Sequence, residues 1–414
     1  MKGNANSTVA RVIIVNRYFA PDHSATSQLA SDLAQYLAGR GVEVMAITSR
    51  QRYEDAAAKL PAAENLGGVR VLRVWTTVFG RQGLFGRAFD YLSFYVSASW
   101  RLWRETAVRA VVVVMTDPPL ISIAAYWVAR RRGAPLVIWT QDLFPEVAEQ
   151  LGVMRSGRMS NLMRRWRDRA LCGAAQNVVI GERMAEIVSA VTDVAPVAVI
   201  PNWALEEIGV ADSTVIPLRA AWNLGAAFVI GYSGNMGRAH RLDVLIDAAE
   251  CLRDKPQIVF LLVGSGAQRE ALEAEVRKRN LSNVIFKPYQ ARENLRNSLT
   301  VADIHIVSLD SRLEGLIVPS KFVGVIAVGR PILYLGDSAG ELGQLTRESG
   351  CGIVIAEDSP ATLAAAIVAL AADRAEVARM GERARTLWQS RFRRSAAHAA
   401  WYEIVTKAWR GETV

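Results

Sequence analysis

The sequence predicts an α/β protein made of two Rossmann-like, doubly wound domains. Three observations lead there. The chain has 414 residues, enough for two domains of ordinary size, each with its own core. Short apolar, β-branched runs alternate with amphipathic helical stretches, the pattern of parallel strands covered by helices. That series occurs twice, with an irregular, polar stretch from Ala204 to Leu224 between the two runs. The first domain is therefore placed at residues 1–204 and the second at 205–387.

In the first series, strands are expected at Arg11–Val15, Val42–Ile47, Val69–Val74, Ala110–Met115, Pro135–Thr140, Asn177–Ile180 and Val197–Ile200. Ser24 to Leu37 is an amphipathic helix that ends at Gly39. No G-x-G-x-x-G follows the first strand, which argues against a dinucleotide cofactor. In the stretch Phe79–Arg109, Phe85, Phe89, Leu92, Tyr95, Val96 and Ser99 recur at helical steps beside Arg81, Arg87, Arg101 and Arg104. Such a helix is either a membrane-surface segment or a core helix rimmed by arginines. A second basic run, Arg155–Arg169, carries six Arg against one Asp. Asp142 and Glu146 follow the strand ending at Thr140, at the carboxyl edge where α/β sheets bind ligands. Each has a plainer reading, as a turn cap and as a first-turn helix acid.

In the second series, strands are expected at Phe228–Tyr232, Ile258–Val263, Val284–Lys287, Ile304–Ser308, Ile332–Leu335 and Gly352–Ile355. Gly231-Tyr232-Ser233-Gly234-Asn235-Met236-Gly237 stands between a strand and the helix Leu242–Leu252. Its glycines and free N–H groups suit either a diphosphate cradle or a tight turn. Arg238 and Arg241 lie next to it. Gly264-Ser265-Gly266 ends the next strand, and Tyr289 follows the one after, where it stacks on a base or plugs the core. Between the fourth and fifth strands come Glu314-Gly315, then Pro319-Ser320-Lys321 at a helix start, then Gly329-Arg330-Pro331. A carboxylate able to accept sugar hydroxyls thus precedes a turn able to hold a diphosphate. For Lys321 the alternative is a solvated helix face.

This last stretch resembles the donor-site signature of family-4 retaining glycosyltransferases of the GT-B fold, most nearly the branch that builds bacterial capsule, colanic-acid and O-antigen repeat units. The resemblance implies two domains facing a central cleft, with the first binding the acceptor, the second binding the donor, and a C-terminal helix, 388–414, crossing back. It implies a donor site at Gly234, Asn235, Met236, Arg238, Arg241, Gly264, Ser265, Gly266, Tyr289, Glu314, Pro319, Ser320 and Lys321. The catalytic groups would be Glu314, Lys321 and Asp142. Asp22, His23, Ser24, Thr26 and Glu146 would lie on the acceptor side, Ser24 or Thr26 capping the first helix with or without a ligand contact. Two departures stand out. The family's second Glu falls on Phe322 or Gly324, and its loop Arg and Lys fall on Asn235 and His240.

The expected reaction is a retaining transfer from a nucleoside-diphosphate sugar to a polyprenyl-diphosphate-linked saccharide. A UDP-sugar such as an N-acetylated aminohexose comes first and a GDP-sugar second. No Asp-x-Asp occurs, so no metal and no other cofactor is expected. The alternatives are a UDP-N-acetylglucosamine 2-epimerase and a two-lobed sugar-binding protein.

Bulk properties bound the setting. About half the residues are apolar, which excludes disorder. The most apolar run, Ala110–Ala129, is broken by Asp117-Pro118-Pro119 and does not suit a bilayer span of ~20 residues. The N-terminal stretch lacks a signal peptide's apolar core, and Cys172, Cys251 and Cys351 are expected to be buried, reduced thiols. These features predict a cytoplasmic protein. Residues 1–204 hold 24 Lys and Arg against 16 Asp and Glu, whereas the remainder is nearly balanced, 25 against 24. The excess points to an acidic partner for the first domain. That partner is an anionic inner-membrane face, a phosphorylated acceptor or nucleic acid, and for nucleic acid no motif is present.

Overall fold

The computed structural model describes residues 10–412 apart from 54, 56–57, 80–83, 108–109, 193–194, 205–214, 292–293 and 357. Side chains of residues 84–85 and 215–217 are likewise not described, so Arg81, Phe85 and Arg109 of the basic–aromatic stretch lie outside the described residues. The contacts divide the chain into two units, residues 1–201 with 395–414, and residues 202–394.

The first unit runs β1 (Arg11–Val15), α1 (Ala25–Gly39), β2 (Glu43–Ser49), β3 (Ala63–Leu66), β4 (Val69–Val74), α2 (Leu84–Glu105), β5 (Ala110–Met115), α3 (Ile121–Arg132), β6 (Leu136–Thr140), α4 (Glu146–Gln150), α5 (Arg158–Cys172), β7 (Gln176–Val179), α6 (Glu182–Ser189) and β8 (Val197–Val199). The sheet order is β3-β4-β2-β1-β5-β6-β7-β8. β5, AVVVVM, is buried at every position, as a central parallel strand requires, and β1 and β6 flank it almost equally buried. β3 pairs antiparallel at the edge, with residues alternately exposed and half-buried. Its sequence AENL has no β-branched residue, so no periodicity announces it.

The second unit runs α7 (Val215–Ala221), β9 (Phe228–Ser233), α8 (Leu242–Cys251), β10 (Ile258–Val263), α9 (Arg269–Lys278), β11 (Val284–Lys287), α10 (Leu295–Thr300), β12 (Ile304–Ser308), α11 (Lys321–Ala327), β13 (Ile332–Leu335), α12 (Glu341–Ser349), β14 (Gly352–Ile355), α13 (Pro360–Ala372) and α14 (Arg374–Arg391). Its sheet is wholly parallel in the order β11-β10-β9-β12-β13-β14. The core joins β9, β10 and β12 to α8 and α13.

The tail differs from the single C-terminal helix expected over 388–414. α14 stops at Arg391, and a further helix, α15, covers Arg394–Arg410. α15 packs on the first unit: Trp401 stacks on Trp139 at 4.6 Å, and His398 Nε2 lies 2.8 Å from Asp32. The thiol expectation is corrected in part. Cys351 is buried, but Cys172 and Cys251, the last residues of α5 and α8, are exposed where those helices reach the surface.

In both sheets the chain builds outward in one direction and then returns to build in the other. The reversal falls between β1 and β5 in the first unit and between β9 and β12 in the second. In sheets of this kind the loops at the carboxyl ends of the strands on either side of such a reversal part, and ligands bind between them.

Candidate functional site

In the second unit two loops meet above the β9–β12 reversal. The first, 234–241, is fastened to β12: Arg241 N–H donates to Ser308 Oγ at 3.0 Å, and Asp310 N–H donates to the Ala239 carbonyl at 2.9 Å. The second, 264–268, lies directly on the first. Met236 N–H donates to the Ser265 carbonyl at 2.7 Å, and Gln268 N–H to the Met236 carbonyl at 3.0 Å. A Cβ on Gly264 would sit 2.0 Å from the Gly234 carbonyl oxygen, and one on Gly266 would sit 2.6 Å from Met236 backbone atoms. Both have φ near +140°, so these two positions require glycine on steric and conformational grounds alike. The Gly-rich spacing thus serves first to let two loops touch.

Lys321, the first residue of α11, reaches into this corner. Its Nζ bonds the Tyr232 hydroxyl, lies 3.0 Å from His240 Nε2 and sits 4.1 Å above the Tyr232 ring. The Tyr232 hydroxyl donates in turn to the Asn235 carbonyl at 2.7 Å, and His240 Nδ1 lies 2.6 Å from the Ser308 carbonyl. Lys321 forms no ion pair among the described residues. Burial without a counter-charge pushes its ammonium down to about 7. Burial, and then Lys321 itself, push the His240 imidazole down to about 3. Tyr289, half exposed after β11, is near enough to Tyr232 to help raise that phenol, behind burial as the main cause.

The other candidates distribute as follows. Arg238 and Asn235 are exposed on the loop, Met236 is fully buried beneath it, and Arg241 is held by Asp243 at 2.9 Å. Ser265 and Ser320 are exposed and Pro319 is buried. Glu314 has a structural reason that its sequence context does not reveal. One carboxylate oxygen accepts the Glu341 N–H at 2.6 Å, at the start of α12. A Cβ on Gly340 would sit 2.6 Å from that carboxylate. Glu314 is therefore seated against a helix N-terminus, where its charge is favoured. Phe322 is wholly buried and Gly324 faces Leu299 within the unit, so neither replaces the family's second Glu. Tyr232 was not singled out in the sequence, because a Tyr inside an apolar strand run reads as core. His240 enters there only as the position where relatives carry a Lys.

In the first unit, the loop after β1 holds Asp22, His23 and Ser24, and Thr26 follows in the first turn of α1. Asp22 is buried, and its carboxylate accepts N–H bonds from Ser24, at 2.8 Å, and from Tyr53. Ser24 occupies the N-cap position of α1 but its hydroxyl makes no cap bond, which corrects the plain capping expectation; Thr26 is the second residue of the helix. His23 is exposed. Asp142 follows β6, its N–H directed at Thr116 Oγ1 at 3.3 Å. Although the residue is open at the surface, its packed surroundings, and then Asp117, push its acid up to about 6. Glu146 is occupied as a brace: Arg167 meets it at 2.7 and 3.0 Å and Arg164 at 2.8 Å, joining α4 to α5. Those arginines hold it well ionised against the opposing effect of burial.

On the same unit, α2 buries Phe94, Ala98 and Leu102 and exposes Phe89, Leu92, Val96 and Trp100 on its other face, Val96 by 65%. α5 likewise exposes Met159 (63%), Leu162 and Trp166. Guanidinium groups lie over the indoles: Arg104 on Trp100 at 4.9 Å, Arg132 on Trp103 at 5.4 Å, and Arg131 on Trp127 at 5.2 Å. Trp127 of α3 contacts Trp166 of α5 at 5.9 Å, so the three helices carry a linked aromatic and basic surface. No helix among the described residues is long and apolar enough to cross a membrane.

Comparison with known proteins adds to this geometry. A family model for glycosyl transferases group 1 matches residues 218–387, and one for a glycosyl transferase 4-like domain matches residues 25–203. The chain is similar to WcaI of Escherichia coli K12, a protein named as a colanic acid biosynthesis glycosyl transferase. The identity is 26% over 381 residues, 86% of this chain and 91% of that one. Among solved structures it is similar to sucrose-phosphate synthase from Thermosynechococcus elongatus, with TM-score 0.75 and 16% identity over 97% of this chain and 100% of that one. It is also similar to Anabaena HepE in complex with UDP-glucose, with TM-score 0.70 and 14% identity over 96% and 99% of the two chains.

Proposed function

The chain belongs to the family-4 glycosyltransferases of the GT-B fold, and from that premise we propose that it moves a sugar from a nucleoside-diphosphate donor to a lipid-linked saccharide in bacterial surface polysaccharide synthesis. The observation that carries the donor half is Lys321. An ammonium withdrawn from water beside a phenol and an imidazole, with no carboxylate partner among the described residues, is costly to hold. A diphosphate would supply the missing charge. As the sugar leaves, negative charge grows on that diphosphate, and a preplaced cation stabilises it. Glu314, oriented by the start of α12, is assigned to the sugar hydroxyls. Asp142, with its raised acid, is assigned to a hydroxyl on the other side of the reaction. We propose UDP as the base-bearing half of the donor, a choice supported by the UDP-glucose bound to HepE. GDP stands second. The transfer proceeds with retention and without a metal ion.

Melting curves with UDP, GDP and their sugars, with and without EDTA, test the donor site, because a ligand of the folded state raises the melting temperature. The expected result is a UDP shift that survives EDTA; a shift abolished by EDTA would overturn metal independence. An inverted anomeric centre in the product, read by NMR, would overturn retention.

The surface of α2, α3 and α5 supports a second element, contact with the anionic face of a membrane. Exposed aromatic side chains with arginines over their rings match an interface that is apolar below and negatively charged above. The protein should float with phosphatidylglycerol vesicles and not with phosphatidylcholine vesicles. Replacement of Trp100 and Trp166 by Glu should abolish flotation, and unchanged flotation would remove the idea.

A further inference from the structure

The Lys321 corner contains a group that the proposed reaction has not used. We propose that His240 is a positioning residue for Lys321: its ring, anchored by Nδ1 on the Ser308 carbonyl, offers Nε2 as the acceptor that holds the ammonium beside the Gly234–Asn235 turn. The inference rests on the donor-site reading above and deepens it.

The direction of each hydrogen bond follows from chemistry. A carbonyl can only accept, so the 2.6 Å contact with Ser308 O places the ring proton on Nδ1. Nε2 then carries the lone pair, and it faces the Lys321 Nζ at 3.0 Å. The Tyr232 hydroxyl donates to the Asn235 carbonyl, which leaves its oxygen to accept from the same ammonium. Two of the three N–H groups of Lys321 are thereby directed. Among the described residues the third has only the Asn235 carbonyl at 3.5 Å, beyond the usual 2.7–3.2 Å range of such bonds. That donor is the one available to a phosphate oxygen.

The ring is held in place by its own backbone. The His240 carbonyl accepts from Gln268 Nε2 at 2.9 Å, and its neighbours Ala239 and Arg241 are both bonded to the end of β12. Nearby charges do not compete for the ring: Arg241 is paired with Asp243, and Asp310 with Arg312. Burial, then Lys321, keep the imidazole neutral at any physiological pH, so its acceptor role does not lapse. A second cation at this position would repel Lys321. A neutral ring orients the single cation instead.

Two measurements on the full chain test this. The imidazole ¹⁵N spectrum of the unliganded protein contains four histidines, and His240→Gln identifies the relevant one by its loss. The expected signal is the Nδ1–H tautomer from pH 6 to 8; an Nε2–H tautomer or an imidazolium would overturn the assignment. In titration calorimetry with UDP and with GDP, His240→Ala should weaken nucleotide binding by about ten-fold, the size of one lost charge-assisted hydrogen bond. His240→Gln, whose amide can donate to Ser308 and accept from Lys321, should recover most of that loss. If His240→Ala lowers the melting temperature but leaves nucleotide affinity intact, the residue is only structural and the proposal fails. If neither nucleotide binds the unaltered protein, the donor-site reading fails, a result distinguishable from the tautomer outcome.

Discussion

The two units share one architecture and place titratable groups of opposite type near their strand-order reversals. Each is a doubly wound sheet whose loops part where the strand order reverses. Near the reversal in the first unit, the packed surroundings of the surface residue Asp142, and then Asp117, drive its acid up to about 6. At the reversal in the second, Lys321 forms no ion pair among the described residues, and burial drives it down to about 7. The fold supplies the two crevices, and residue type decides that one tends to hold a proton and the other to release one. In neither place does the native structure favour the charged form, which fits the chemical roles proposed for both residues.

The comparison can be broken most sharply at Lys321. Lys321→Met should lower kcat/KM by about 10²–10³, the usual loss when a group stabilising transition-state charge is removed. The same variant should melt higher than the parent below pH 7. The folded-state value is depressed, so the unfolded chain binds the extra proton and stability is gained as pH rises from about 7 toward the ordinary lysine range. A lower melting temperature at pH 6 would show that Lys321 is a structural cation. Asp142→Asn is the mirror test, with an expected loss in kcat/KM of about 10–10². Because that acid is raised, the native state keeps its proton longer, and stability falls as pH rises from the ordinary Asp range through about 6. The Asn variant should therefore be the more stable protein above pH 6, and its kcat/KM should lose the limb that rises through pH 6.

Nucleotide binding itself sharpens the contrast. Above about pH 7 the free protein holds Lys321 neutral, whereas the diphosphate favours the ammonium, so binding takes up a proton. UDP affinity should fall by up to about ten-fold per pH unit above 7, with one proton taken up when calorimetry is compared across two buffers. Binding independent of pH between 7 and 9 would remove Lys321 from the diphosphate. The smallest effect is expected at Gly340. Gly340→Ala puts a methyl group against the Glu314 carboxylate, a flexible side-chain end that can give way. A shift in the melting temperature of only about 1–2 °C should accompany a loss of several-fold in kcat. If activity is unchanged, the seat of Glu314 on α12 has no part in catalysis.

The strands were legible for a physical reason. AVVVVM is a continuous apolar run and RVIIV and IHIVS are nearly so, and a central parallel strand buries both faces of such a run. Pro319-Ser320-Lys321 marked the start of α11 only to within two residues: the helix opens at Lys321 with Ser320 as its N-cap, and Pro319 stands before the first turn instead of in it. β3 was not legible, since its pairing with β4 rests on backbone position and not on side-chain pattern. The break between α14 and α15 was also hidden, because Phe392 and its neighbours differ little from the helical residues around them.

The sequence by itself determined the two sheets, the residue types at their carboxyl edges and the family they indicate, because strand and helix periods are written in nearest-neighbour spacing. Only the tertiary structure decided what those residues meet. Glu314 finds the start of α12 across 27 positions, Glu146 is taken by two arginines, and Lys321 reaches His240 across 81. Such contacts depend on strand order and loop closure, which no local pattern in the chain records.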